Sequence, residues 1–155
     1  PWAHRERALR LFADVPAPTA ASLASLWAQV RGGGDGAAAA VVSFGHATAA
    51  IRAADPASHR EGCERLRGAL RTATDPQAVD LLLRALASAG DAAIVTEAGR
   101  FLGATEPAVR ATAVAVLLAA GGAAAEAMAR DLLRTETDPA VRRTVERGLA
   151  RCTRV

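Results

Sequence analysis

The stretch TEPAVRATAV, residues 105–114, is one of three versions of a single phrase in this chain. TDPQAVDLLL precedes it at residues 74–83, and TDPAVRRTV follows it at residues 137–145. The prolines of the three phrases lie at intervals of 31 and 32 residues, and a leucine stands ten positions after each proline. Periods of this length are typical of proteins that are built from stacked structural repeats.

Each phrase has the features of a helix start. Asp and Thr side chains accept backbone N–H bonds at helix N-termini, and proline suits the first turn because its missing N–H needs no partner there. Apolar residues then recur at helical spacing, as at Val109, Ala113 and Val116. Gly90 and Gly121 end the first two helices, and the residues behind each glycine fit a second helix. Each period therefore predicts a helical hairpin.

The region before residue 74 shows the same organisation with less regular spacing. We predict helices at residues 2–12, 19–31, 35–54 and 55–73, and Asp35 and Asp55 mark the starts of the last two. With the regular part, nine helices are expected. The predicted fold is all-α, an α-solenoid of about four antiparallel hairpins plus a C-terminal capping helix. It forms a single domain over residues 1–155, with irregular repeats at 2–73 and regular repeats at 74–152.

The two ends of the predicted stack differ in polarity. Helix 139–152 is covered by arginines, and a stacked array needs a polar outer face on its terminal element. This helix is therefore predicted to be the C-terminal cap. The N-terminal segment offers apolar side chains with nothing before them, at Trp2, Leu9 and Phe12. We accordingly expect the chain to be the C-terminal part of a longer solenoid.

Composition supports a helical fold and gives only weak signals about partners. The chain has 41 alanines and 3% aromatic residues, and alanine is the best helix former. All nineteen basic residues are arginine, but sixteen acidic residues are mixed among them, so the net charge is only +3.

No apolar stretch is long enough for a transmembrane helix. The cytoplasm is the favoured compartment, with an extracytoplasmic location as the alternative if a leader has been removed.

The phrases resemble the HEAT-repeat family, in particular its short bacterial form with a D-P-x-V-R opening. Residues 106–110 (EPAVR) and 138–142 (DPAVR) carry the resemblance, which extends over residues 74–152. The helices at 36–73 are more weakly similar to the helical region of vitellogenin-like lipid-transfer proteins. The resemblance implies an α-solenoid of a kind that usually binds proteins.

No residue pattern predicts catalysis, a metal site or a cofactor. His59 and Cys63 are four residues apart on one helical face, and His46 lies in the preceding helix, but no further Cys or His pair completes a four-ligand site. Cys63 and Cys152 lie about three repeats apart, too far for a disulfide. Both are therefore expected to be free thiols that fill space in their helices.

Arginines recur near the ends of the predicted second helices, where they could line one side of the solenoid. They are Arg67, Arg71, Arg100, Arg130 and Arg134. Such a strip would suit an acidic protein or a phosphate backbone, although surface arginines are commonly no more than solvated. We expect a non-enzymatic scaffold that binds a protein partner. The alternatives are nucleic-acid binding along these arginines and a helical part of a lipid-carrying assembly.

Overall fold

The computed structural model describes residues 17–34 and 36–152, and over these residues it is all-helical. The all-α prediction is confirmed. The predicted helix at 2–12 and the predicted cap at Asp35 lie outside the described residues. The eight helices within them are α1 Ala20–Gly32, α2 Ala37–Ile51, α3 Pro56–Thr72, α4 Pro76–Ala89, α5 Ile94–Gly99, α6 Pro107–Ala120, α7 Ala123–Thr135 and α8 Pro139–Cys152.

Side-chain caps start most of the helices that follow an acidic residue and proline. The carboxylates of Asp55, Asp75 and Asp138 accept hydrogen bonds from backbone N–H groups in the first turns of α3, α4 and α8. Glu106 occupies the equivalent position before α6 but makes no such bond, since glutamate is not among the side chains that favour this position. At the other end of α4, Gly90 adopts the left-handed conformation with φ 71° and stops the helix.

The second helix of the first regular repeat is shorter than predicted. A helix is expected over residues 91–104, whereas α5 covers only Ile94–Gly99. Asp91 lies before the helix, where its carboxylate accepts bonds from the Ala93 N–H and from Arg67. After Gly99 the backbone continues in turns that are closed by bonds between residues three apart.

Alternate helices form a packed row. Helix α2 packs on α4, α4 on α6, and α6 on α8, while α3, α5 and α7 each contact the row helices before and after them. Helix α1 packs on α2. The largest fully buried side chains join these helices into one core, and they include Phe44, Leu66, Leu83, Leu86, Val114 and Leu117.

Small residues let the row helices approach closely. A Cβ atom added at Gly45 of α2 would lie 2.6 Å from the carbonyl oxygen and 2.8 Å from the Cα of Ala85 in α4. A Cβ at Gly148 of α8 would meet the side chain of Leu118 in α6. The alanine-rich composition therefore serves backbone-to-backbone packing, in which many short contacts replace a few large side chains.

Thr48 of α2 carries a buried polar group without a partner. The residue is fully buried against Gly62 of α3, and its Oγ1 makes no hydrogen bond. Because an unpaired buried hydroxyl destabilises a fold, we expect Thr48→Val, which keeps the shape, to raise the free energy of unfolding by about 1 kcal/mol. Urea denaturation measures this. The matched control is Thr72→Val, since the exposed Thr72 hydroxyl donates to helix carbonyls. A less stable Thr48→Val variant would contradict the prediction.

Candidate interaction surface

The arginines predicted to form a strip on the second helices are engaged in ion pairs. In α3, Arg67 contacts Asp91 at 2.5 Å and Arg71 contacts Glu97 at 2.7 Å. Arg100, directly after α5, contacts the other oxygen of Glu97 at 3.0 Å. The side chains of both carboxylates are almost completely buried. The structure thus brings Arg71 and Arg100 together through one shared glutamate.

The charge state of Glu97 reflects this arrangement. Burial by itself would raise the pKa of the Glu97 carboxyl, but the hydrogen bonds from Arg71 and Arg100 hold that pKa below its usual value. Glu97 is therefore ionised at neutral pH and neutralises part of the charge of the two arginines.

The other two predicted arginines lie on α7 and have local partners. Arg130 contacts Glu126 at 2.6 Å and Arg134 contacts Asp131 at 2.9 Å, both within the helix and largely exposed. All five predicted residues therefore have an acidic partner, which weakens the positive potential that a bare arginine strip would produce.

An ion pair that the sequence analysis missed joins the last two regular repeats. Arg110 of α6 donates from Nε and Nη2 to the two carboxylate oxygens of Glu136, at 2.6 and 2.8 Å. Its Nη1 donates to the carbonyl oxygens of Ala104 and Thr105 in the loop before α6. The Glu136 side chain is only 2% exposed. One feature of the sequence could have indicated this ion pair: an arginine stands three residues after the proline in two of the phrases, as Arg110 and Arg142.

Glu136 is strongly stabilised as a carboxylate. The bidentate hydrogen bond from Arg110 is the main cause, and it lowers the pKa of Glu136 to about 2, against the opposing effect of burial. The backbone N–H groups of Thr137 and Asp138 also donate to this carboxylate. Arg110 and Glu136 thus form a complete, buried connection between α6 and the loop before α8.

Arg142 in α8 has only half of the contacts of Arg110. Its Nη1 donates to the carbonyl oxygens of Leu133, in the last turn of α7, and of Glu136, directly after that helix. Among the described residues, its one carboxylate partner is Glu146 of the same helix, at 3.9 Å. Its side chain is 42% exposed, compared with 15% for Arg110. No buried carboxylate among the described residues therefore binds Arg142, and its guanidinium remains partly exposed to solvent.

Three further arginines lie on successive turns of α8. Arg143, Arg147 and Arg151 are exposed, and none has an acidic partner within residues 17–34 and 36–152. Other acidic and basic side chains four residues apart do form ion pairs within their helices, as Glu61 with Arg65 and Asp80 with Arg84 show.

The histidine and cysteine of α3 form a local contact. His59 Nε2 lies 2.9 Å from the carbonyl oxygen of Ala89 and 3.6 Å from Cys63 Sγ, while His46 is exposed on α2. Over the part of the chain that the structure describes, no three His, Cys, Asp or Glu side chains are grouped as metal ligands. Cys63 and Cys152 are both free thiols, as expected.

Cys63 is expected to be unreactive in the folded protein. Burial, together with the nearby charge of Asp91, raises the pKa of its thiol to about 11. The reactive thiolate is thus about a hundredfold rarer at neutral pH than at the ordinary value of 9. Alkylation with iodoacetamide, followed by peptide mass spectrometry, should label Cys152 in the native protein and Cys63 only after unfolding in urea. Equal labelling of the two thiols in native protein would contradict this.

An apolar groove lies between α4, α5 and α6. It has a volume of about 320 Å³ and is lined mainly by alanine, valine and isoleucine, including Ala87, Val95, Val116 and Ala119. Asp91 is the one charged residue in its lining, and it is paired with Arg67. The groove is suited to apolar side chains rather than to a charged ligand.

Among the described helices, none has both the length and the apolar character that crossing a membrane requires. No family model, curated protein or solved structure matches the chain.

Proposed function

We propose that this chain is a HEAT-like α-solenoid scaffold without enzymatic activity, and that it binds a protein partner along its stacked helices. The packing of α2 on α4, α4 on α6, and α6 on α8 carries the proposal. Repeats that stack in sequence produce extended surfaces, which such proteins use for binding. The HEAT-like phrase at the start of α6 and α8 agrees with this architecture.

Polar contacts between repeats support a rigid binding surface. The Thr112 hydroxyl of α6 donates to Asp80 of α4, and Arg110 of α6 binds Glu136 before α8. Each contact fixes one repeat relative to the next, so little ordering entropy is lost when a partner binds. Rigidity of this kind favours a scaffold over a chain that folds only on binding.

The ion pairs favour a protein partner over nucleic acid. Binding to a phosphate backbone depends on cations that can replace condensed counterions. Arg67, Arg71 and Arg100 each contact a carboxylate that is almost completely buried, with Glu97 shared by the last two, and Arg130 and Arg134 contact carboxylates of their own helix. Most of the positive charge of these five arginines is therefore offset within the chain.

Capture of partners by the immobilised full chain tests the proposal. A cell extract of the source organism is treated with nuclease and passed over the chain, and the retained material is analysed for protein, nucleic acid and lipid. We expect a protein to be retained in near-stoichiometric amount. Retention of nucleic acid or lipid alone would contradict the proposal.

A matched pair of variants shows whether capture depends on the fold. Val114 is fully buried in α6, and its neighbour Ala115 is exposed. Val114→Asp places a charge in the core, so it should unfold the stack and abolish capture. Ala115→Asp should leave the helical circular dichroism unchanged. Equal capture by an unfolded Val114→Asp variant would show that the retained protein is not bound by the scaffold.

A further inference from the structure

The apolar groove between α4, α5 and α6 lies where the second helix of a repeat starts late. Helix α7 begins at Ala123, two residues after Gly121, whereas α5 begins at Ile94, four residues after Gly90. Helix α5 has only six residues and packs mainly against α6. In the neighbouring repeats, longer helices, α3 and α7, lie between the row helices. The short α5 therefore leaves part of the space between α4 and α6 uncovered.

The shape of the groove suits apolar side chains of a second polypeptide. Ala92, Ala119 and Ala120 line the groove and are exposed, so it is open along one side. A small apolar molecule buries most of its surface in its pocket, and a groove that is open along one side does not allow this. Side chains on one face of a partner segment need cover from one side only, because the partner itself covers the other. The open groove therefore favours a protein segment over a lipid.

Arg52 places a positive charge at the rim of the groove. It directly follows α2, and its Nη1 lies 3.5 Å from the position that a Cβ atom on the lining residue Gly90 would occupy. Arg52 is exposed, and within residues 17–34 and 36–152 its guanidinium makes no ion pair or hydrogen bond. Asp91, in the lining beside Gly90, is already bound by Arg67. The charge of Arg52 is therefore available to a carboxylate of a bound segment.

We propose that this groove binds an apolar segment of a partner protein that carries a carboxylate beside its apolar side chains. The apolar side chains pack against Val95, Val116 and Ala119, and the carboxylate binds Arg52 at the rim. The assignment rests on the proposed scaffold function and names the surface used and the chemistry of the partner.

The lining also distinguishes this partner from two others. A basic segment is disfavoured because Arg52 would repel it. Nucleic acid is disfavoured because its backbone is bound by rows of cations and its bases stack on aromatic rings, whereas the described lining of the groove is aliphatic apart from Asp91. An apolar segment with one carboxylate matches both the groove and its rim.

Fluorescence anisotropy with the full chain tests this assignment. The probe is a labelled peptide, blocked at both ends, that carries leucines at helical spacing and one glutamate beside them. One control peptide has glutamine in place of the glutamate, and a second has serine in place of the leucines. We expect the glutamine peptide to bind about threefold more weakly and the serine peptide not to bind. Equal binding of the probe and either control would overturn the assignment.

Two pairs of variants locate the bound peptide. Arg52→Gln should weaken binding of the glutamate peptide about threefold and leave the glutamine peptide unaffected, whereas Arg147→Gln, with the same charge change on exposed α8, should affect neither. Ala119→Gln places a longer polar side chain in the groove and should weaken binding about tenfold. Its control is Ala115→Gln, since Ala115 is exposed on α6 one turn earlier and does not line the groove. Circular dichroism confirms that all four variants are folded. Equal losses within either pair would overturn the assignment.

Further outcomes separate this assignment from a lipid site and from the scaffold proposal. Dodecanoate that binds more tightly than the peptide and depends on Arg52 and Ala119 in the same way would identify a lipid site and overturn the assignment. A captured protein retained equally by the Ala119→Gln variant would leave the scaffold proposal standing and overturn the groove assignment. Peptide binding in the groove without any captured protein would instead support the assignment and contradict the scaffold function.

Discussion

Replacement of Glu136 by glutamine is expected to lower the free energy of unfolding by about 3 kcal/mol. The variant leaves the Arg110 guanidinium, which is 15% exposed, without the carboxylate that neutralises it. A buried charge that loses its partner is strongly destabilising, since neither water nor another anion replaces the lost contact. Urea denaturation of the wild type and the variant measures the difference.

The effect of Glu136→Gln should depend on pH in a defined direction. The pKa of Glu136 is lowered from 4.5 to about 2 in the folded chain, so folding favours the ionised form. The stabilisation is therefore complete above pH 4.5 and is lost as the pH falls towards 2. The difference in stability between wild type and variant should shrink over this range. A difference that stays constant down to pH 2 would show that the carboxylate charge is not responsible.

An exposed ion pair provides the control for the buried one. Glu61 contacts Arg65 at 2.5 Å, but its side chain is 61% exposed. Glu61→Gln should therefore change the stability by less than about 0.5 kcal/mol. A double-mutant cycle with Arg110→Gln isolates the Arg110–Glu136 interaction from the loss of each group alone. Similar effects of Glu61→Gln and Glu136→Gln would refute the assigned role of burial.

The replacement Gly45→Ala is expected to lower the free energy of unfolding by about 2 kcal/mol, although alanine is the better helix former. The added Cβ would lie 2.6 Å from the carbonyl oxygen of Ala85. Because that atom belongs to the backbone of α4, a rotamer change cannot relieve the clash, and α2 and α4 must move apart. Thermal unfolding, followed by circular dichroism, measures the change.

Gly68 is the matched control for Gly45. It also lies within a helix, α3, but a Cβ added there meets no atom within 4 Å. Helix propensity alone should then decide, and Gly68→Ala is expected to stabilise the chain by about 1 kcal/mol. The two substitutions of glycine by alanine should thus have opposite signs. Stabilisation by both would mean that α2 and α4 do not approach as closely as the structure shows.

The resemblance to HEAT repeats and the proposed partner binding remain predictions, but the sequence located most of the helices well. Proline and acidic residues gave the starts of α3, α4, α6 and α8, because local capping and the missing proline N–H act over a few residues. Helix α5 was predicted too long. Its start depends on Asp91, whose carboxylate binds Arg67 from a different helix, and a local pattern contains no information about that contact.

The candidate site was predicted less well than the helices. The arginines near the ends of the second helices were recognised from their spacing, yet Asp91 and Glu97, the partners of Arg67 and Arg71, are 24 and 26 residues away from them in the chain. The excess of arginine on α8 was visible in the sequence and was interpreted as a cap. Only the structure showed that Arg110 of α6 binds the buried carboxylate of Glu136.

The sequence by itself determined that the chain is helical, where its regular helices begin, and that a phrase recurs every 31 or 32 residues. These properties depend on backbone capping and side-chain periodicity, which act within one or two turns. The tertiary structure alone decided which arginines are neutralised and which remain free. That distinction depends on side chains from different repeats meeting at hydrogen-bond distance, where burial and geometry, rather than the residue type, set the strength of each ion pair.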